Sequence, residues 1–182
     1  EANGLIYKFF DDLQKNDLPK IKEHPLAFYF LVFNTPKQFE ITLKSWKDAY
    51  PETFNKVKKY VVNNSNDPDP AINENYRKLF VENNLQEFKF DNIGITSGRQ
   101  WCAEHFAQSD HDYYIFIEED MLAIAKDDKN HQLCQSGFQR HHEGLFEKSV
   151  HILESENLDF LRLTFSEFYG RGFSDWAYIN HS

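Results

Sequence analysis

The stretch Asp112-Tyr113-Tyr114-Ile115-Phe116-Ile117-Glu118-Glu119-Asp120-Met121 decides how the rest of this chain is read. Five apolar or aromatic residues, Tyr113 to Ile117, run directly into three carboxylates. A run this short, rich in β-branched and aromatic types, predicts a strand buried on both faces. Side chains alternate along an extended chain, so Glu118 and Asp120 are expected on one face and Glu119 on the other, if the strand continues to Asp120. Neighbouring carboxylates at the end of a buried strand repel each other unless a cation lies between them. A hard divalent ion, held by one or two carboxylates together with phosphate oxygens, meets that need. The same residues can also form a plain solvated acidic turn.

Working outward, the sequence repeats one pattern. Leu26–Phe33 (LAFYFLVF) is a first buried strand, ending at Asn34-Thr35-Pro36. Here Thr35 suits an N-cap, Pro36 the first helical position and Gln38 the partner of a capping box. Phe39, Leu43 and Trp46 follow at helical spacing. Residues 57–62 (VKKYVV) form a second strand that runs into Asn63-Asn64-Ser65-Asn66-Asp67. Asp69 and Pro70 can open a further helix with Ile72, Tyr76, Leu79 and Phe80 on one side, stopped at Asn83 and Asn84. A short third strand is expected around Phe88 and Phe90. The segment IGITSGRQ then leads into a helix with Trp101, Cys102, His105 and Phe106 toward the core. Beyond the acidic end, residues 126–137 are polar and loop-like. A helix is expected from Phe138 through Leu153, a fifth strand at 160–165 and an aromatic tail. Residues 4–15 carry an apolar helical stripe of their own.

Strand and helix alternating four times predicts an α/β fold, a mostly parallel sheet with helices on both faces, in one domain over residues 1–182. Such sheets bind ligands at the carboxyl ends of their strands. In this chain those ends are Asn34-Thr35, Asn63-Asn64-Ser65, Ile93-Gly94 and Glu118–Asp120, mostly polar and several small.

Composition narrows the function classes. The 182 residues carry a net charge of −9, which argues against a sequence-independent nucleic-acid binder and against attraction to anionic lipid. Two cysteines, Cys102 and Cys134, with no CxxC pair, exclude a disulfide framework and a cysteine-rich zinc site. No stretch approaches 18 apolar residues, and no signal peptide is visible, so a cytoplasmic location is expected. The 18 phenylalanines point to a Phe-rich core.

Taken together, the strand ends resemble those of a GT-A-fold glycosyltransferase of the family-2-like kind, which uses nucleotide-diphosphate sugars. LVFNTP matches the polar turn after that family's first strand, and VVNNSND the second strand end that holds the base. IGITSGRQWCAEHF matches a glycine-containing segment that carries an arginine into a helix, and IFIEED an Asp-x-Asp-type motif. The resemblance spans residues 26–125. It implies a Rossmann-like fold, a nucleotide-sugar donor, a glycan or other hydroxyl acceptor, and Mn²⁺ or Mg²⁺. It assigns the metal to Asp120 and Glu118. Nucleotide-sugar contacts fall on Phe33, Asn34, Thr35, Asn63, Asn64, Gly94, Ser97, Arg99, Glu118 and Glu119. Gly94 and Gly98 would let the backbone approach the ligand.

Two departures stand out. Asn63-Asn64 replaces the family's base-reading Asp, and Glu-Glu-Asp replaces Asp-x-Asp. An inverting enzyme also needs a carboxylate base for the acceptor hydroxyl. Glu167 and Asp175 are the candidates for this role, Asp120 being catalytic through the metal it holds, and His181 could complete a metal site. His141-His142 reads as a surface pair and Cys102 as a core residue. A phosphate-loop nucleotidase would need GxxxxGK[ST] after the first strand, and a sugar-nucleotide pyrophosphorylase a glycine-rich loop there; FNTPKQ supplies neither. A domain of the same fold that binds a nucleotide sugar or glycan without turnover remains the non-enzyme alternative.

Overall fold

The computed structural model describes residues 26–123, 137–138, 145–163 and 176–179. These fall into two compact units, one covering 26–122 and the other the described residues from 123 onward.

The first unit is a four-stranded parallel sheet with helices on both faces. Its elements are β1 (Leu26–Val32), α1 (Pro36–Ala49), α2 (Pro51–Lys56), β2 (Lys58–Asn63), α3 (Pro70–Glu82), β3 (Gln86–Lys89), α4 (Gly94–Ala107) and β4 (Tyr113–Glu118). Strand order is β3-β2-β1-β4, and every pairing is parallel. The chain builds outward from β1 to β3, then crosses back over β1 to place β4 on the other side. The direction of winding therefore reverses between β1 and β4, and such a switch point opens a crevice at the strands' carboxyl ends.

The continuous apolar run of β1 is explained by its central place. Ala27 to Val32 are all buried, with Phe28 and Phe30 on one face and Ala27, Tyr29 and Leu31 on the other. Phe28 packs edge-on against Trp46 and Phe54, and Phe30 against Phe39, so α1 and α2 cover the first face. Phe39 in turn meets Tyr76 and Phe80, which brings α3 to the same side. The opposite face meets α4 through Cys102, Trp101 and Phe106. Burying each such large apolar side chain contributes about 1.5–3 kcal/mol, so β1 anchors both layers.

Local signals act as the sequence predicts in some places and not in others. Asp69 caps α3, its side chain accepting from the Ala71 N–H at 2.9 Å, and Asn83 ends that helix. Thr35 does occupy the N-cap of α1 with Pro36 next to it, but its side chain makes no cap bond and no capping box forms. The Thr35 hydroxyl lies 3.5 Å from the Phe33 carbonyl instead. The third and second strands fall near their expected positions. IGITSGRQ is not a lead-in loop: the helix begins at Gly94 and already contains Gly98 and Arg99.

In the second unit, α5 (Leu145–Ser155) begins later than the helix expected from Phe138. Phe138 itself lies in a short strand β6 (Gly137–Phe138), paired with β5 (Leu122–Ala123). The fifth predicted strand exists as β7 (Phe160–Leu163), but it pairs antiparallel with β8 (Trp176–Ile179) in a separate two-stranded sheet. Strand–helix alternation implies a parallel sheet but does not fix the partner of an individual strand. The expected helix at 4–15 lies outside the described residues.

Candidate functional site

The carboxyl ends of β1, β2 and β4 adjoin, because Val32 pairs with Asn63 and Leu31 with Glu118. The expectation that Asn34, Asn63 and Glu118 gather at one edge is met. Each end is stitched to its neighbours by hydrogen bonds that use the polar residues of the sequence.

At the acidic end, alternation separates Glu118 from Glu119. Glu118 lies on the α4 side, where Arg99 donates to it from Nε at 3.0 Å and again from Nη2. The guanidinium also lies 5.7 Å from the centre of the Phe116 ring. Glu119 turns to the α3 side, where Oε2 accepts from the Phe33 N–H at 3.0 Å and the Tyr76 hydroxyl at 2.9 Å. Its backbone N–H still reaches the Leu31 carbonyl at 3.1 Å, and its carbonyl accepts from the Thr42 hydroxyl. Burial pushes the Glu119 carboxyl up, with Asp120 adding to the rise, while hydrogen bonds from Phe33, Thr35 and Tyr76 oppose it. The strand does not stay extended to Asp120, however. It ends at Glu118, and a turn closes with the Met121 N–H on the Glu118 carbonyl at 3.0 Å. Asp120 is exposed in that turn. The reason is local: the ladder partner of β4 ends when β1 leaves the sheet at Phe33.

β1 leaves through Asn34, whose φ of 58° is in the left-handed region that asparagine tolerates better than most residues. Its N–H donates to Ser65 Oγ at 3.0 Å, and its Oδ1 accepts from the N–H groups of Asn66 and Asp67. The turn after β1 is thereby tied to the loop after β2. Phe33 is 42% exposed, an apolar ring left at the rim of the strand ends.

Asn63 and Asn64 are both buried but differ in what their amides do. Asn63 donates to Glu87 at 2.7 Å and accepts from the Ser65 N–H at 3.0 Å and from Lys89 at 3.5 Å. Lys89 also holds the Ser65 carbonyl, so Asn63 and Lys89 together fix the start of this loop. Asn64 donates to the Gly94 carbonyl at 3.1 Å, and its Oδ1 is buried with no partner among the described residues. A buried acceptor left open costs free energy, and it fits a ligand N–H or O–H.

Gly94 opens α4 with φ of 80°, a conformation that favours glycine. Gly98 lies one turn on, against β1 and β2. A Cβ there would come within 2.8 Å of Leu31 Cδ1 and 3.3 Å of Asn64 Nδ2. The close approach expected of this glycine is therefore made to Leu31 and Asn64. Ser97 and Arg99 are exposed on the same helix.

Below the strand ends, the α4 face holds a polar group that sequence reading left unnoticed. Tyr29 bonds His105 Nδ1 at 2.6 Å, and Tyr60 bonds His111 Nε2 at 2.9 Å. His105 stacks on Trp101, and burial followed by the nearby His111 holds its pKa below the usual histidine value. Cys102 is buried, and burial pushes its thiol up to about 12, so it is inert in the core. Tyr76 was also missed as a site residue. Its place on the apolar stripe of α3 gave no sign that its hydroxyl reaches the strand ends.

Among the described residues no three His, Cys, Asp or Glu side chains converge as metal ligands. Glu118 and Asp120 nonetheless supply the hard oxygen donors that Mn²⁺ or Mg²⁺ takes, and these ions commonly draw their remaining ligands from substrate phosphate and water. Glu167, Asp175, His181 and His141-His142 lie outside the described residues.

No family model matches the sequence, and no curated protein matches it. Solved structures do. The fold is shared with a mannosyltransferase. That protein, PcManGT from Pyrobaculum calidifontis, is described in complex with GDP-Man and Mn²⁺ and matches with a TM-score of 0.50 at 13% identity, over 86% of this chain and 41% of its own. TarS of S. aureus matches over 81% of this chain and 22% of its own, at 18% identity and a TM-score of 0.48. This chain thus spans less than half the length of either neighbour. The α/β fold expected from the strand–helix alternation, Rossmann-like as the resemblance implies, is shared with the mannosyltransferase. No helix of the described residues is long and apolar enough to cross a membrane.

Proposed function

We propose that the edge formed by β1, β2 and β4 binds a nucleotide-diphosphate sugar, and that the chain carries the donor-binding part of a metal-assisted glycosyltransferase. The observation that carries this reading is a juxtaposition at the topological switch point. One edge presents exposed Asp120, the Arg99–Glu118 pair, and the open acceptor of Asn64. A nucleotide diphosphate would use each differently, its phosphates facing Arg99, a bridging divalent ion on Asp120 and a base N–H on Asn64. The GDP-Man and Mn²⁺ held by the mannosyltransferase of like fold are consistent with that class of ligand.

Each residue then has a task. Asn64 Oδ1 accepts a donor group of the base, in place of the family's aspartate, while Asn63 is spent on holding the loop. Phe33 offers its exposed ring to an apolar face of the nucleotide, and Asn34, Thr35, Gly94 and Ser97 line the same edge. Asp120, with Glu118, would hold Mn²⁺ or Mg²⁺. When bound, that ion would neutralise charge building on the diphosphate as the glycosidic C–O bond breaks. Arg99 sits within reach of the same charge and exchanges Glu118 for phosphate oxygen. The acceptor hydroxyl requires a base, for which Glu167 and Asp175 are the candidates, and the reaction would invert the anomeric centre.

A thermal-shift screen of UDP-, GDP-, dTDP- and CMP-sugars, with and without Mn²⁺, tests the reading. A ligand at about 100 times its Kd stabilises the fold by about 2.7 kcal/mol, enough for a shift of several degrees. One nucleotide is expected to raise the melting temperature in a metal-dependent way, and release of its nucleoside diphosphate with an acceptor then separates an enzyme from a binding domain. No shift with any of the four would refute the donor site.

A further inference from the structure

The resemblance counts Glu119 among the nucleotide-sugar contacts, but the carboxylate is engaged within the protein. Its carboxylate points away from Glu118, toward the α3 face, and is spent on the protein itself. Oε2 takes the Phe33 N–H and the Tyr76 hydroxyl. Tyr76 is fully buried, and its oxygen in turn accepts the Thr35 N–H at 2.9 Å. Phe33 and Thr35 flank Asn34, the one residue of this turn with positive φ. The two backbone N–H groups on either side of the left-handed residue are thus held by one carboxylate, one directly and one through a phenol. The same residue is tied to β1 and α1 by its backbone.

We propose that Glu119 and Tyr76 are positioning residues for the donor. They fix the Phe33–Thr35 turn relative to the acidic turn that follows β4, so that the ring of Phe33 and the carboxylate of Asp120 meet one ligand at a set separation. The inference rests on the donor-site reading above and adds to it two residues that need not touch the ligand. Three features favour positioning over a general role in packing. The bonds are polar and converge on a loop rather than on the core. The ring of Tyr76 already packs against Phe39 and Phe80 without help from its hydroxyl. One acceptor oxygen of Glu119 takes both donors, the Phe33 N–H at 3.0 Å and the Tyr76 hydroxyl at 2.9 Å, which suits the fixing of geometry.

The requirement is for an acceptor at Glu119, not for its charge. A glutamine oxygen can take the same two donors, whereas alanine leaves both N–H and O–H without a partner. Titration calorimetry with Mn²⁺ and each of UDP-glucose, GDP-glucose and dTDP-glucose, on the whole chain, separates these cases. Tyr76→Phe and Glu119→Ala should each weaken binding about tenfold, the equivalent of one charge-assisted hydrogen bond. Glu119→Gln should rescue affinity to within about threefold of wild type. Amide hydrogen exchange should quicken at Thr35 in Tyr76→Phe and stay slow in Glu119→Gln. Equal affinity in wild type and Tyr76→Phe would overturn the proposal, and so would a loss in Glu119→Gln matching that in Glu119→Ala, since the charge itself would then be the contact. If the wild type binds none of the nucleotide sugars of the thermal-shift screen with Mn²⁺, the donor-site reading fails and takes this proposal with it. Wild-type binding untouched in Tyr76→Phe defeats this proposal alone.

Discussion

Replacing Gly98 tests whether the contact between α4 and the strand ends sets the site. A Cβ at this position would stand 2.8 Å from Leu31 Cδ1 and 3.3 Å from Leu31 Cδ2 and Asn64 Nδ2. Carbon atoms prefer about 3.5–4.0 Å, so the first contact is short by most of an ångström. Leu31 is a buried residue of the central strand, packed with Tyr29, Val62 and Cys102, and it has little room to turn. Relief comes from an off-rotamer Leu31, at about 0.5–1.5 kcal/mol, or from movement of α4. Overpacking of this kind costs about 1–3 kcal/mol, and alanine recovers about 0.8–1 kcal/mol of helix propensity. The net expectation for Gly98→Ala is a loss of about 1 kcal/mol, and Gly98→Val, with two further methyls and no such helix gain, should lose clearly more. Urea unfolding monitored by tryptophan fluorescence reads both, as a fall in midpoint at unchanged slope. Because movement of α4 would draw Gly94 and Arg99 from Asn64 and Glu118, nucleotide affinity should fall in parallel. A Gly98→Val protein as stable as wild type would refute the reasoning.

Three further outcomes follow from the site. Asp120→Asn should abolish Mn²⁺-dependent donor binding while leaving the melting temperature of the free protein within a degree or two, because an exposed carboxylate adds little to packing; equal metal-dependent binding in both proteins would end the metal assignment. Arg99→Ala should weaken donor binding but cost about 1 kcal/mol of stability, since Arg99 is exposed and its partner Glu118 only half-buried; unchanged affinity would reduce Arg99 to a surface cation. His105 is held neutral by burial, so its folded pKa lies below the unfolded value of about 6.5. Its contribution is therefore complete above that value and is lost as pH falls through the folded pKa. The His105 ring should titrate below 6.5 by NMR, and the urea midpoint should fall as the pH is lowered across that range; a ring midpoint at or above 6.5 would contradict the burial argument.

The layered fold and the gathering of the polar strand ends at one edge were legible in the sequence. Uninterrupted apolar runs such as Ala27–Val32 can be satisfied only between two layers, and helical stripes such as Phe39, Leu43 and Trp46 supply those layers. Period-two alternation was enough to send Glu118 and Glu119 to opposite faces. Tertiary structure decided the rest. Alternation extends only while a neighbouring strand continues, so the turn at Asp120 depended on where β1 leaves the sheet. The antiparallel partner of β7 could not be read either, since a strand's own residues do not name its neighbour. The same limit hid Tyr76 and the division of labour between Asn63 and Asn64. In sequence one was a core aromatic and the others a matched pair of amides; their roles come from partners 20 to 40 or more residues away, Glu87, Gly94 and Glu119. A polar side chain's task is set by what stands within about 3 Å of it, and only the folded chain brings those groups together.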